Sequence, residues 1–280
     1  MGSVAVLADS ASDLAPDLAR EHGITVVPLL VTFGDKEYRA GVDLSGEDFW
    51  RELTAVGAPF PKTAAAAPGT FKEAYEKLFA KGADEVVYVG VGAKLSATVG
   101  SAKVAREMLP ERKIHVIDSN TASMATGMLA LLAAEKAAAG MSGEEVANEV
   151  NKKLDKVKLY VVLETLEYLK RGGRISPARA AIGSVLSVKP IITLEDGVVE
   201  TADKPRTRGR ARERLIELLA ATKPERIAIL HGQAGDVEAF ATELAAATGV
   251  SRDKMTINLI GPSVGPHVGP GAYGAVTMSA

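Results

Sequence analysis

The sequence predicts an α/β fold built as two α/β domains. Residues 1–155 surround a largely parallel sheet, residues 156–280 a mixed sheet, and a ligand is expected between them. Apolar, strand-like runs alternate with helical segments through the first half, the pattern of a parallel sheet with crossover helices. In the second half, Val188–Leu194 and Val198–Asp203 flank Glu195-Asp196-Gly197, a hairpin turn that interrupts the alternation. Three polar stretches each follow an apolar run: Asp9-Ser10-Ala11-Ser12-Asp13, Ala93-Lys94-Leu95-Ser96-Ala97-Thr98 and Gly265-Pro266-His267-Val268-Gly269-Pro270-Gly271. Open α/β sheets bind ligands in this kind of place, outside the carboxyl ends of their strands.

The elements follow in order. Val4–Leu7 is a short buried-type strand, and a helix is expected over Leu14–Glu21. Thr25–Val27 and Leu29–Phe33 are β-rich, with a hairpin turn at Gly34-Asp35-Lys36-Glu37. Ser45, with Asp48 three residues on, starts a helix through Leu53. Pro68-Gly69 opens one to about Ala80, because proline is tolerated in a first turn. Glu85–Val91 and Ile114–Ile117 read as strands, Ser96–Leu109 and Thr121–Ala139 as helices. Ser142-Gly143-Glu144-Glu145 is a capping box for a helix to about Leu154.

Beyond Asp155 the expected elements are a strand at Leu159–Leu163 and a short helix at Leu166–Lys170. Ser176-Pro177 is a helix start, with serine as cap and proline first. After the hairpin come a helix at Arg208–Ala221, a strand at Ile227–Leu230 and a helix at Val237–Thr248. Strands at Thr256–Ile260 and near Ala275–Met278 finish the chain.

Composition narrows the function. With 33 Lys and Arg against 35 Asp and Glu, the net charge of -2 gives no global attraction to nucleic acid or acidic membranes. The absence of cysteine removes disulfides, thiolate zinc sites and a cysteine nucleophile. The N-terminus has no basic region, its apolar run is too short for a signal peptide, and no stretch approaches the roughly 20 apolar residues of a spanning helix. A soluble cytoplasmic protein is the expectation.

Each polar constellation has a functional and a structural explanation. Ser96 can cap the following helix, whose free N–H groups can also hold an anion. Asp9 can bind a metal or a hydroxyl, although turn carboxylates commonly brace backbone N–H groups instead. His267 lies in a stiff Gly/Pro loop that lets backbone approach a ligand. Of the other histidines, His22 and His115 occupy helix-end and strand positions, and His231 follows a strand. Arg171 and Arg174 flank two glycines, either as solvated loop arginines or as a site for phosphate or an acidic partner. Arg206/Arg210/Arg214 and Arg208/Arg212 recur at helical spacing, and a solvated positive face is the favoured explanation.

Gly90-Val91-Gly92 lacks the third glycine of a dinucleotide fingerprint, since Leu95 stands there, and no Gly-Lys-Ser/Thr phosphate loop occurs. No Gly-x-Ser-x-Gly elbow supports an esterase, and no histidine or carboxylate cluster has metal-ligand spacing.

These motifs together resemble the DegV family, the fatty-acid-binding subunits of bacterial fatty acid kinases, over essentially the full length. The resemblance runs through Asp9-Ser10, Val27-Pro28-Leu29, Pro61-Lys62-Thr63, Lys94-Leu95-Ser96-Ala97-Thr98 with Ser101-Ala102, and Ile117-Asp118-Ser119. It continues through Leu166-Glu167-Tyr168-Leu169-Lys170-Arg171-Gly172-Gly173-Arg174-Ile175-Ser176, Lys189-Pro190-Ile191 and the Gly265–Gly271 block. It implies one long-chain fatty acid in an apolar tunnel, its carboxylate held at Thr63 and Ser96 with His267 close by. Asp9, Ser10, Ala97 and Thr98 would stand behind these groups. It also implies a separate ATP-dependent kinase subunit that converts the bound carboxylate to an acyl phosphate, with Arg171 and Arg174 as candidates for docking that partner or steadying phosphate. No cofactor, metal, nucleic acid or stable membrane insertion is implied, and a monomer joined transiently to its kinase is expected.

The chain departs from the family pattern in two places. Thr63-Ala64-Ala65-Ala66-Ala67 stands where the family usually reads Thr-Ser-Gln-Pro-Ser, and Ala97 stands where it has glycine. Two other functions compete: a serine hydrolase using Ser96 or Ser10 with His267, and a binding module for a different small acid.

Overall fold

The computed structural model describes residues 2–175 and 188–280. The helix start expected at Ser176-Pro177 lies outside them. Three sheets form. In the first, β2 (Ile24–Val27), β1 (Val4–Asp9), β6 (Glu85–Gly90) and β7 (Lys113–Asp118) run side by side in that order, all parallel. In β6, residues Val86 to Gly90 are all buried, as expected for a strand covered on both faces.

A three-stranded antiparallel sheet, β4 (Lys36–Arg39), β3 (Leu30–Phe33) and β5 (Lys62–Ala64), stands beside it. The last sheet has the order β10 (Val198–Asp203), β9 (Ile191–Glu195), β8 (Val157–Val162), β13 (Tyr273–Met278), β11 (Arg226–His231), β12 (Thr256–Leu259). Only its β11–β12 pair is parallel, so the sheet is mixed as the hairpin implied. The hairpin turn has left-handed backbone at both Asp196 (φ 49) and Gly197 (φ 74), the twist a two-residue turn needs.

Helices cover both outer faces. On one side, α3 (Pro68–Ala80) and α4 (Thr98–Glu107) pack on the first sheet, enclosing Phe71, Tyr75, Tyr88 and Val99. On the other, α8 (Arg208–Ala221) and α9 (Val237–Thr248) close over the six-stranded sheet around Leu215, Phe240 and Tyr273. Between the sheets lies α5 (Met124–Ala138), which packs on β1 and also reaches β8, β11 and β13. Its run of alanines explains this placement, since small side chains let one helix approach two sheets at once. Next to it stands α6 (Gly143–Lys153), closed by the expected capping box between Ser142 and Glu145. The remaining α-helices among the described residues are α1 (Pro16–Glu21), α2 (Gly46–Leu53), α7 (Glu167–Arg171) and α10 (Gly265–Val268).

Some expectations need correction. The first helix starts at Pro16, because Ser10–Ser12 form a 3-10 turn and Asp13 adopts a left-handed φ of 50°. The N-cap of α4 is Ala97; Ser96 precedes it, with Oγ 2.7 Å from Thr98 Oγ1 and 3.3 Å from Thr98 N. His267 belongs to the one-turn helix α10, which Pro266 opens, and not to an irregular loop. The Arg208/Arg212 pair is not a solvated face. Arg208 contacts Glu164 and Asp236, Arg212 contacts Asp236 and Glu243, and both stack over the Tyr273 ring.

Asp13 ties the two halves together. Its Oδ2 accepts from Ser123 Oγ at 2.5 Å, and its Oδ1 accepts from Gly261 N at 2.9 Å. Burial pushes its carboxyl up to about 7, against those two bonds and with a smaller push from Asp9. The folded state therefore holds this proton more tightly than the unfolded chain. The stability it contributes is complete below the ordinary 3.8 and is lost as pH rises through about 7, a span worth at most ~4 kcal/mol. His267 acts in the opposite sense. Burial, aided by the Arg174 charge, holds it down at about 4, so its contribution is present above 6.5 and lost as pH falls through 4.

The two trends offset each other between pH 4 and 6.5. Asp13→Asn keeps the left-handed backbone and an acceptor for Gly261 while removing the titration. Its melting temperature is expected to climb steeply from pH 4 to 6.5 and to exceed that of the native protein at pH 8. Parallel melting curves for the two proteins would contradict this.

Candidate functional site

A cavity of about 230 Å³ opens between the sheets. Strands β8 to β10 supply one wall through Leu159, Val161, Ile192, Leu194 and Val199, all on the same face of the sheet. Opposite stand Ala11, Leu29, Val91 and Leu95, from loops at the carboxyl ends of the first sheet and its neighbour. Leu169 of α7 and Val264 and Val268 of the α10 segment close a third side.

Polar groups enter this aliphatic wall at few points. Thr63, central in β5 and opposite Val31 of β3, places Oγ1 3.1 Å from Nε2 of His267. Ser96 and Ala97 line the same cavity from the loop after β6. Ala64 and Ala65 continue the wall beyond Thr63, and Ala67 caps α3 without a side-chain bond, so the alanine run lends the site no further side-chain donors. The imidazole of His267 is neutral at physiological pH, because its pKa is held at about 4 by burial. Its Nδ1 has no partner among the described residues and faces Gly172, where an added Cβ would lie 2.2 Å away; only glycine fits there.

Arg174 also lines the cavity, the one formally charged side chain to do so among the described residues. Its Nε donates to Leu95 O at 3.1 Å and its Nη1 to Gly172 O at 2.7 Å, which links the loop after α7 to the loop after β6. Arg171 points elsewhere: its guanidinium stacks 3.9 Å from the Phe60 ring centre, outside the cavity wall.

Three other sequence candidates stand behind the wall. Asp9 is fully buried and braces the turn, accepting from Ala11 N (2.9 Å), Tyr88 OH (2.7 Å) and Val91 N (2.9 Å). Burial raises its pKa against those three bonds. Ser10 Oγ accepts from Leu29 N at 2.9 Å and pairs with Ser263 Oγ at 2.7 Å. Thr98 is buried, with its hydroxyl on Ser96. Sequence reasoning missed Ser123 and Ser263, which line the cavity, and the apolar face of β8 to β10. The alternation in Leu159-Tyr160-Val161 carried a signal for that face; nothing near Ser263 did. No cluster of three or more metal-ligating side chains occurs among the described residues. No helix among them is long and apolar enough to cross a membrane.

The arrangement is a long apolar cavity with hydroxyls, a neutral imidazole and a guanidinium at its wall, and comparison with known proteins gives it a context. A family model described as "Uncharacterised protein, DegV family" matches residues 3–280. The chain belongs to the DegV family. A DegV domain-containing protein of Caldanaerobacter subterraneus is 35% identical over 98% of both chains, and one of Streptomyces coelicolor 36% identical over 99% of this chain and 98% of that one. Among solved structures, a DegV family protein from Thermus thermophilus, described by its fatty acid binding, superposes with a TM-score of 0.90 at 33% identity over 100% of both chains. DegV from Bacillus subtilis, described as a fatty acid binding protein, gives a TM-score of 0.88 at 30% identity over 100% of both chains. A stearic acid-binding protein from Eubacterium ventriosum gives 0.88 at 25% identity, covering 99% of this chain and 98% of that one. The two-domain α/β architecture expected from the sequence is therefore the fold of this chain.

Proposed function

We propose that this DegV family chain binds one long-chain fatty acid in the cavity between its sheets and presents the head group to a separate ATP-dependent kinase subunit, within two domains divided near residue 155. The observation that carries the binding half is the cavity itself: mostly aliphatic, with Thr63, Ser96, His267 and Arg174 among its lining residues. A carboxylate buried without partners costs several kcal/mol, so it needs donors such as these. With neutral His267 donating from Nε2 to Thr63 Oγ1, the Thr63 proton is free to bond a carboxylate oxygen. Ser96 offers a second hydroxyl and Arg174 the compensating charge. Each methylene buried adds about 0.8 kcal/mol, so a C14–C18 chain binds tightly without further polar contacts.

In the kinase half, a carboxylate oxygen attacks the γ-phosphorus of ATP on the partner, ADP leaves, and an acyl phosphate remains on this chain. The chain itself is then a carrier and no catalyst, and an ATP-dependent partner sets the cytoplasm as its place of work. Arg171, exposed on the α7 segment and held over Phe60, suits partner docking. Arg171→Glu is expected to lower kinase-dependent acyl phosphate formation at least tenfold while fatty-acid affinity stays within about twofold. Loss of fatty-acid binding in that variant would count against the assignment.

A serine hydrolase has weaker support, because Ser96 bonds Thr98, His267 bonds Thr63, and no carboxylate among the described residues orients His267 Nδ1. Titration calorimetry of palmitate into delipidated protein tests the binding half. Uptake of one palmitate per chain is expected, and no heat of binding at micromolar protein would reject it.

A further inference from the structure

A second polar spot in the cavity wall shares no hydrogen bond with the Thr63–His267 contact. Ser263, almost fully buried at 6% exposure, lines the cavity, and its only side-chain hydrogen bond among the described residues is to Ser10. The two hydroxyls have two protons between them. One serves their mutual bond at 2.7 Å, and Ser10 Oγ already accepts from Leu29 N at 2.9 Å. Whichever serine donates, one O–H of the pair remains uncommitted among the described contacts.

Ser123 lines the cavity close by. With Asp13 ionised, its hydroxyl proton goes to Asp13 Oδ2, its backbone N–H to Ala11 O at 2.7 Å, and its Oγ lone pairs have no donor among the described residues. Asp13 joins it to Gly261, two residues before Ser263, and Ala11 follows Ser10, so both serines sit at the carboxyl end of β1. With Ser10 donating to Ser263, the wall offers a donor at Ser263 and an acceptor at Ser123. A methylene uses neither and a ketone only the donor, whereas an alcohol uses both.

We propose that the Ser263/Ser123 spot is a subsite for a hydroxyl group on the ligand, so that the cavity takes hydroxylated long-chain acids at least as well as the parent chains. This rests on the fatty-acid reading and adds a ligand class to it. In a wholly aliphatic cavity an added hydroxyl would weaken binding by about tenfold or more, since an unpaired buried hydroxyl is penalised.

The test is competitive binding of stearate and of 2-, 3-, 10- and 12-hydroxystearate to the full-length delipidated protein and to Ser263→Ala. At least one positional isomer is expected to equal or exceed stearate in the native protein. In the variant that isomer should fall at least tenfold relative to stearate, with stearate itself unchanged within about twofold. Stearate bound normally with every hydroxystearate at least tenfold weaker would overturn the subsite alone, as would an isomer ratio that Ser263→Ala leaves unmoved. Failure of stearate and all hydroxystearates to bind would overturn the fatty-acid reading and the subsite with it.

Discussion

Replacing Thr63 by valine and Ser96 by alanine together is expected to weaken palmitate binding by about 100- to 10,000-fold. Hydrogen bonds to a charged acceptor contribute about 1.5–3 kcal/mol each, and the carboxylate would lose two of them in a site where water cannot fully replace them. Thr63→Val also leaves His267 Nε2 without its 3.1 Å partner, so thermal unfolding should accompany the titration to separate loss of ligand contacts from loss of structure. Palmitate affinity within threefold of the native value, in a protein that melts normally, would remove these residues from the head-group site.

Blocking the cavity is expected to act as strongly by an unrelated cause. Val161 lies on β8 between Ile192 of β9 and Gly274 of β13 and faces the cavity, so Val161→Trp puts an indole where the acyl chain would run. Excluding about six methylenes forfeits ~5 kcal/mol, a loss of more than 1,000-fold for palmitate, while octanoate should lose far less. Overpacking typically costs about 1–3 kcal/mol, but here the indole enters open volume, and a modest fall in melting temperature is the expected accompaniment. Equal losses for octanoate and palmitate would show that the chain does not lie along β8.

Much of the fold was legible because its signals are local. Pro68 in a first turn, Ser142 with Glu145, and the left-handed Asp196-Gly197 turn each determine structure within a few residues, and α3, α8 and α9 begin and end where the sequence implied. The site was legible in part. Ser96 and His267 stood out by position, and Thr63 entered only through family resemblance, because β5 is a three-residue strand with no periodicity of its own.

What escaped depends on contacts distant in the chain. The Arg208 and Arg212 partners at Glu164, Asp236 and Glu243 lie 24 to 44 residues away, so a helix face that looks solvated is part of an ion-pair network. Asp13 stood as one of several polar residues after the first strand, and its bond to Gly261, 248 residues on, makes it a link between the halves. The short helix α10 was hidden by the glycines and prolines that surround it, although Pro266 suits a first helical turn.

Native mass spectrometry of the purified protein, followed by denaturing extraction and lipid analysis, tests the central claim most directly. One C14–C18 fatty acid per chain, released on denaturation, is the expected result. A chain that carries no lipid and takes up none when palmitate is supplied would contradict fatty-acid binding in this cavity.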